Sequence, residues 1–264
     1  MEKKYVSRDN FKSSLLKQVI MRIDYSEITN FEGLIQERSS FLKQYFTTRG
    51  KYQTNNINPI ISEKDLAQER VPIAILPQNE VYRFTMCKIE PRQNVVLDIA
   101  NTFVCLIIKC DDNYDKIDEY INLLSGVMNN VLEFDSYITI QRVGIRKIDG
   151  KSFDSLEHAK HVFENIEQVD YPLLTMNVYQ SKVISFMIDE DSDIQINLIR
   201  KYNKTDDQKY QVELDIDGYV GVAKLTDVDE QNGVMNILKN INNLLFENFK
   251  INVTESFLNN GLIK

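Results

Sequence analysis

Tryptophan is absent, only two histidines and three cysteines occur, and glycine and proline are sparse at nine and five in 264 residues. So little Gly and Pro excludes a chain dominated by flexible linkers or low-complexity tracts. Three cysteines are an odd number, and no CxxC pair occurs, so a paired-cysteine zinc site is not encoded. Cys87, Cys105 and Cys110 lie in or beside strand-like segments and read as reduced structural thiols. No apolar run approaches the roughly 20 residues of a membrane helix. The opening Met1–Tyr5 leads into polar sequence without the apolar core of a secretion signal, so a cytosolic protein is expected, with no membrane partner. Also missing are the GxSxG elbow, the Walker loop, the dinucleotide glycine fingerprint and HExxH. The expectation is therefore no assigned catalytic residue, no metal site and no cofactor.

What is present is an ordinary globular composition, 43% hydrophobic and 27% charged, with the charge unevenly shared. Residues 1–150 hold 20 Lys/Arg against 20 Asp/Glu, whereas 151–264 hold 11 against 19 and supply the whole net charge of −8. An acidic half repels phosphate backbones within the screening length of about 8 Å. Nucleic acid is thus a disfavoured partner and a protein surface the favoured one.

Hydrophobic periodicity divides the chain into two similar passes. In the first, Leu15–Tyr25 alternates as a strand, and Asn30 caps a helix over 31–46. A polar connection over 47–72 follows, and strands come at 82–89, 95–100 and 102–109. The nearly unbroken apolar stretch 95–108 predicts a strand buried on both faces. A helix opening at Asp112 or Asn113 carries an apolar stripe from Ile117 to Leu132, and Ser125-Gly126 within it suggests close helix packing. In the second pass Tyr137–Ile148 is a strand, Ser152 caps a helix over 153–166, and strands follow at 174–188, 194–202 and 210–223. A last helix opens at Asp227 or Asp229, and a short tail follows Lys250.

The expected class is α+β. Duplicated β-α-β-β-β-α units, 1–135 and 136–264, form curved antiparallel sheet packed on long helices in one continuous body. That order resembles TATA-binding-protein-like saddles and helix-grip folds. The missing linker near residue 150 argues against two independent domains.

Four charged residues stand out. Arg142 and Arg146 lie four apart on a strand and share a face, with Gly144 between them on that face. Asp215 and Asp217 share a face of another strand. Two readings are open: the arginines pair internally with these aspartates, or they form a row that receives a partner carboxylate, an anion or, as a sensor, nucleic acid. The D-x-D pair also admits metal-dependent hydrolase or nuclease chemistry, although no third ligand accompanies it at recognisable spacing. His158 and His161 fall three apart on a predicted helix and are expected to be solvated.

Three segments, RVGIRKID at 142–149, VELDIDGY at 212–219 and LLFENFKINVTESF at 244–257, together resemble a sporadically distributed, functionally unassigned prokaryotic family of about this length. The resemblance places the family pattern on Arg142, Gly144, Arg146, Asp215, Asp217, Phe246, Thr254 and Glu255. The sequence departs from it at Lys147 and Asp149, where the pattern has an aromatic residue and Asn. Patchy distribution implies an accessory gene, of the phage-defence or toxin-neutralising kind, and the resemblance carries no activity.

Overall fold

Strand β1 (Leu16–Tyr25) sits near the middle of a nine-stranded antiparallel sheet in the computed structural model. The structure describes residues 6, 15–54, 57–59, 73–75, 79–87, 94–110, 117–164, 180–189, 193–205, 207, 209–221 and 233–260. The further strands are β2 (Phe46–Thr54), β3 (Ile57–Pro59), β4 (Ile73–Ile75), β5 (Asn79–Cys87), β6 (Asn94–Ala100) and β7 (Phe103–Lys109). After them come β8 (Ile140–Phe153), β9 (Gln180–Ile188), β10 (Gln195–Lys204) and β11 (Tyr210–Gly221). The sheet order is β2-β5-β6-β7-β1-β8-β11-β10-β9, and β3 and β4 form a separate small ladder. Strands from both halves of the sequence thus meet in one sheet at the β1–β8 ladder.

Alternation explains the layering. In β1, Val19, Met21, Ile23 and Tyr25 are buried while Gln18, Ile20, Arg22 and Asp24 are half-exposed on the other face. The buried face packs on helices α1 (Phe31–Glu37), α2 (Ser39–Tyr45), α3 (Ile117–Phe134), α4 (Leu156–Lys160), α5 (Gly233–Asn252) and α6 (Glu255–Asn260). Gly218 of β11 lets α5 settle directly on the sheet. A Cβ there would lie 2.9 Å from Leu245 and 3.0 Å from Ile241. Gly126 does the same between α3 and α2, where a Cβ would meet the Phe41 ring at 3.3 Å. The close packing suggested by Ser125-Gly126 is present there.

Several sequence expectations change. The helix over 31–46 is two helices, because Arg38 (φ −90°, ψ 5°) ends α1 and begins α2. Asn30 does cap α1, accepting from the Gly33 N–H at 3.2 Å. The polar connection over 47–72 begins as β2, an edge strand whose two exposed faces hide the usual apolar alternation. The strand expected at 137–148 runs instead over 140–153, because Gly150, Lys151 and Ser152 continue the ladder opposite Glu213, Val212 and Gln211. Ser152 is therefore a strand residue, and Ser155 caps α4 by accepting from the His158 N–H at 3.2 Å. The tail expected after Lys250 is instead helix to Asn252, an isolated bridge between Phe163 and Val253, and α6. The helix openings at 112–113 and 227–229, strand residues 174–179 and 222–223, and helix residues 165–166 lie outside the described residues. No helix among the described residues is long and apolar enough to cross a membrane.

Candidate functional site

Among the described residues every helix packs on one side of the sheet, which leaves the other face uncovered by helix. Register carries one transverse row across all nine strands of that open face: Gly50, Arg83, Asp98, Cys105, Arg22, Gly144, Tyr219, Gln195 and Ile188. The adjoining row runs Val96, Ile107, Ile20, Arg146, Asp217, Asn197 and Phe186. Cationic and anionic side chains therefore alternate across the middle of the sheet, a pattern that favours cross-strand pairing.

Arg146 makes the tightest pair. Its Nε and one terminal nitrogen donate to the two carboxylate oxygens of Asp215 at 2.7 and 2.6 Å. This bidentate fork raises the pKa of Arg146. The Asp215 side chain is only 2% exposed while that of Arg146 is 43% exposed, so the guanidinium still offers donors to solvent. Arg142 is held more loosely. It donates to Asp217 at 3.1 and 3.4 Å, approaches Asp24 at 3.7 Å, and lies 4.5 Å above the Tyr219 ring. Asp217 has its pKa raised by burial, opposed by the charges of Arg142 and Arg146. Gly144 makes the Arg142 geometry possible. A Cβ there would press on Tyr219 Cβ at 3.1 Å and the Gly218 carbonyl at 3.2 Å, beneath the path of the guanidinium.

The structure thus brings together all five residues singled out from sequence, Arg142, Gly144, Arg146, Asp215 and Asp217, and the internal pairing is the arrangement found. The same design recurs where sequence reasoning did not assemble it. Arg83 forks onto Asp98 at 2.8 and 2.7 Å and lies 4.6 Å over the Tyr52 ring. The Tyr52 hydroxyl donates to Asp98 at 2.9 Å, and burial together with that carboxylate pushes its pKa up to about 12. Arg22 pairs with Asp24 and stacks 4.2 Å over Phe103. The available signal was charge interrupting period-2 apolar strands, as in MRID over 21–24 and VLDI over 96–99.

The remaining candidates separate from this face. His158 and His161 are exposed at α4. Cys105 is buried on the open face, where burial pushes its thiol up to about 12 and so suppresses the reactive thiolate. Phe246 packs against Phe249 on α5, with its ring centroid 6.1 Å away. The Thr254 hydroxyl donates to the His161 carbonyl at 2.5 Å and accepts from the Phe257 N–H, which caps α6 just before Glu255. The residues of the resembled pattern therefore divide into an open-face group and a helix-side group that ties α4 to the chain beyond α5. The strand predicted to be buried on both faces is covered by helix on one only. The open side of β6 and β7 carries half-buried Val96, Phe103 and Ile107 beside buried Asp98 and Cys105.

Among the described residues no three His, Cys, Asp or Glu side chains come together as a metal-holding group. Asp215 and Asp217 each already accept from a guanidinium, which competes with a cation for the same oxygens. No protein-family model matches the chain, and no curated protein matches its sequence, so the family resemblance rests on its three segments alone.

Proposed function

We propose that this chain is a binding module that takes another protein onto the open face of its sheet. The observation that carries the reading is the repeated Arg–Asp–aromatic unit on that face. Each guanidinium is oriented by a carboxylate, three of the four also stack on a ring, and all four keep N–H groups near solvent. Arginine and tyrosine held rigid in this way lose little freedom when a partner docks. The charges on the face balance, so they fix orientation more than they attract a polyanion. An anion or nucleic-acid sensor based on Arg142 and Arg146 gains less support, because both cations are internally neutralised. A hydrolase based on Asp215 and Asp217 gains less support for the matching reason.

We also read the two halves as a duplication, TATA-binding-protein-like in plan. Supporting this, the sheet reads β5-β6-β7-β1 inward from one side and β9-β10-β11-β8 inward from the other, mirrored about the β1–β8 ladder. In both halves the first strand is central and the last strand lies beside it. An accessory role such as toxin neutralisation fits a binding module but rests on the resemblance alone.

The test is affinity capture from the native host with wild type, Arg142→Ala, Tyr219→Ala and a helix-side control, Lys239→Ala. A stoichiometric partner lost with the first two variants and retained with the control is the expected result. A partner lost only with Lys239→Ala would move the interface to the helices. Nuclease or nucleotidase activity of the purified protein that disappears in Asp215→Asn, with the fold intact, would replace the reading with the hydrolase.

A further inference from the structure

The two outer strands of the sheet are unlike. Strand β2 presents Thr47, Thr48, Arg49, Gly50, Lys51 and Gln53 to solvent, and this is the usual protection of an exposed edge: cations, a glycine and no large apolar side chain. Strand β9, QSKVISFMI, has a single charge, Lys182. On the open face it exposes Ile184, Phe186 and Ile188 to 62%, 57% and 54%, a continuous apolar row. Ile199 of β10 lies next to it, in register with Ile184. Among the described residues β9 has one ladder neighbour, β10, and its other edge points outward.

We propose that β9 is a self-pairing edge, and that two copies of the chain join antiparallel along it to make one continuous sheet. This surface lies at the far flank from the arginine cluster, and the inference stands independently of the partner reading above. Two features select a second copy as the occupant. The first is charge placement. Lys182 lies near the start of β9, and Asp189 follows its end. Antiparallel pairing about a twofold axis sets each lysine near the other copy's acidic end, whereas parallel pairing would set like beside like. The second is parity. With the twofold perpendicular to the sheet, opposed residues share a face, so both open faces stay on one side. Centring the ladder on Phe186 then places Phe186 against its own copy and Ile184 against Ile188. The exposed apolar row is thus complementary to itself. Nine residues give a ladder about 30 Å long.

Sedimentation velocity of the full chain over a concentration series tests this. Wild type is expected to shift from monomer to dimer as concentration rises. Phe186→Lys sets two ammonium groups face to face at the axis and is expected to remain monomeric with unchanged far-ultraviolet circular dichroism. Should that variant misfold, Lys182→Glu decides. It is an exposed change that turns the lysine–acid approach into acid against acid, and it should weaken the dimer about tenfold, equivalent to roughly 1.4 kcal/mol. Lys51→Glu on β2 should leave the mass unchanged. Wild type that stays monomeric at every concentration overturns the proposal, as does a dimer insensitive to Lys182→Glu or dissolved by Lys51→Glu. A monomer whose capture of a different protein is lost in Phe186→Lys likewise overturns self-pairing, and gives the edge to a heterologous strand.

Discussion

The two faces of the sheet are organised by opposite means. The helix-covered face is closed by shape: Leu245 and Ile241 of α5 sit on Gly218, and Leu106, Leu124 and Met128 are fully buried. The open face is closed by charge, with guanidiniums laid flat over carboxylates and rings and Cys105 sealed beneath them. Apolar burial contributes stability in proportion to area, whereas half-exposed ion pairs contribute little and mainly fix geometry. The difference implies that stability resides mainly on the covered face, and it is the arrangement on which the proposal of a recognising open face rests.

Leu245→Ala gives the largest expected effect. Its side chain is fully buried, so loss of the packed methyls should destabilise the protein by about 3 kcal/mol in urea unfolding. If Asp215→Ala proved equally costly, the contrast between the faces would collapse.

One residue on the covered side breaks its own face's rule, and it gives the next effect. Asp149 is buried on β8, and desolvation raises its carboxyl pKa to about 7, with Lys147 acting in the opposite direction. Between about pH 4 and pH 7 the folded state then holds a proton that the unfolded chain has released. Stability on this account falls as pH rises through that window and stays low above it. Asp149→Asn should flatten the dependence and stabilise the protein at pH 8, on the order of 2 kcal/mol, because the amide loses no charge but must still place its donors. A melting temperature whose pH profile matches wild type would refute this. The resembled family pattern has Asn at this position and an aromatic at 147, so the two departures fall on the same two residues whose charges interact.

Much of this arrangement could be read from residues, and the unread part has a common cause. Long amphipathic stripes marked α3 and α5, and alternation marked β1 and most of β11, because those elements bury chiefly one face. The stretch β2 carries no such mark because an exposed edge has no apolar face to alternate, and the end of β8 is hidden because Ser152 reads as the cap of a helix opening at 153. At the site, spacing within a strand placed Arg142 with Arg146, and Asp215 with Asp217. That Arg22, Asp24 and Tyr219 join them, and that Arg83, Asp98 and Tyr52 repeat the motif, depends on register between strands far apart in the chain. Spacing along one strand carries no information about such register.

Within the open face, the two arginine pairs separate structure from function. Asp215→Ala removes a buried acceptor and leaves Arg146 half in water, so a loss of about 1–2 kcal/mol is expected, well short of the Leu245→Ala effect. Asp217→Ala should cost less, under about 1 kcal/mol, since Arg142 keeps Asp24 and the Tyr219 ring, and Asp217 is already disfavoured as an anion by burial. The ranking reverses for partner binding. Arg142 is shared among three groups at 3.1 Å or more, so a partner carboxylate can capture it at little cost, whereas Arg146 is locked at 2.6 Å. Arg142→Lys should therefore leave the unfolding midpoint within experimental scatter while weakening capture of the partner about tenfold, because an ammonium neither forks nor stacks. A variant that binds normally, or that unfolds as readily as Asp215→Ala, would place Arg142 with the scaffold and return the open face to a purely structural account.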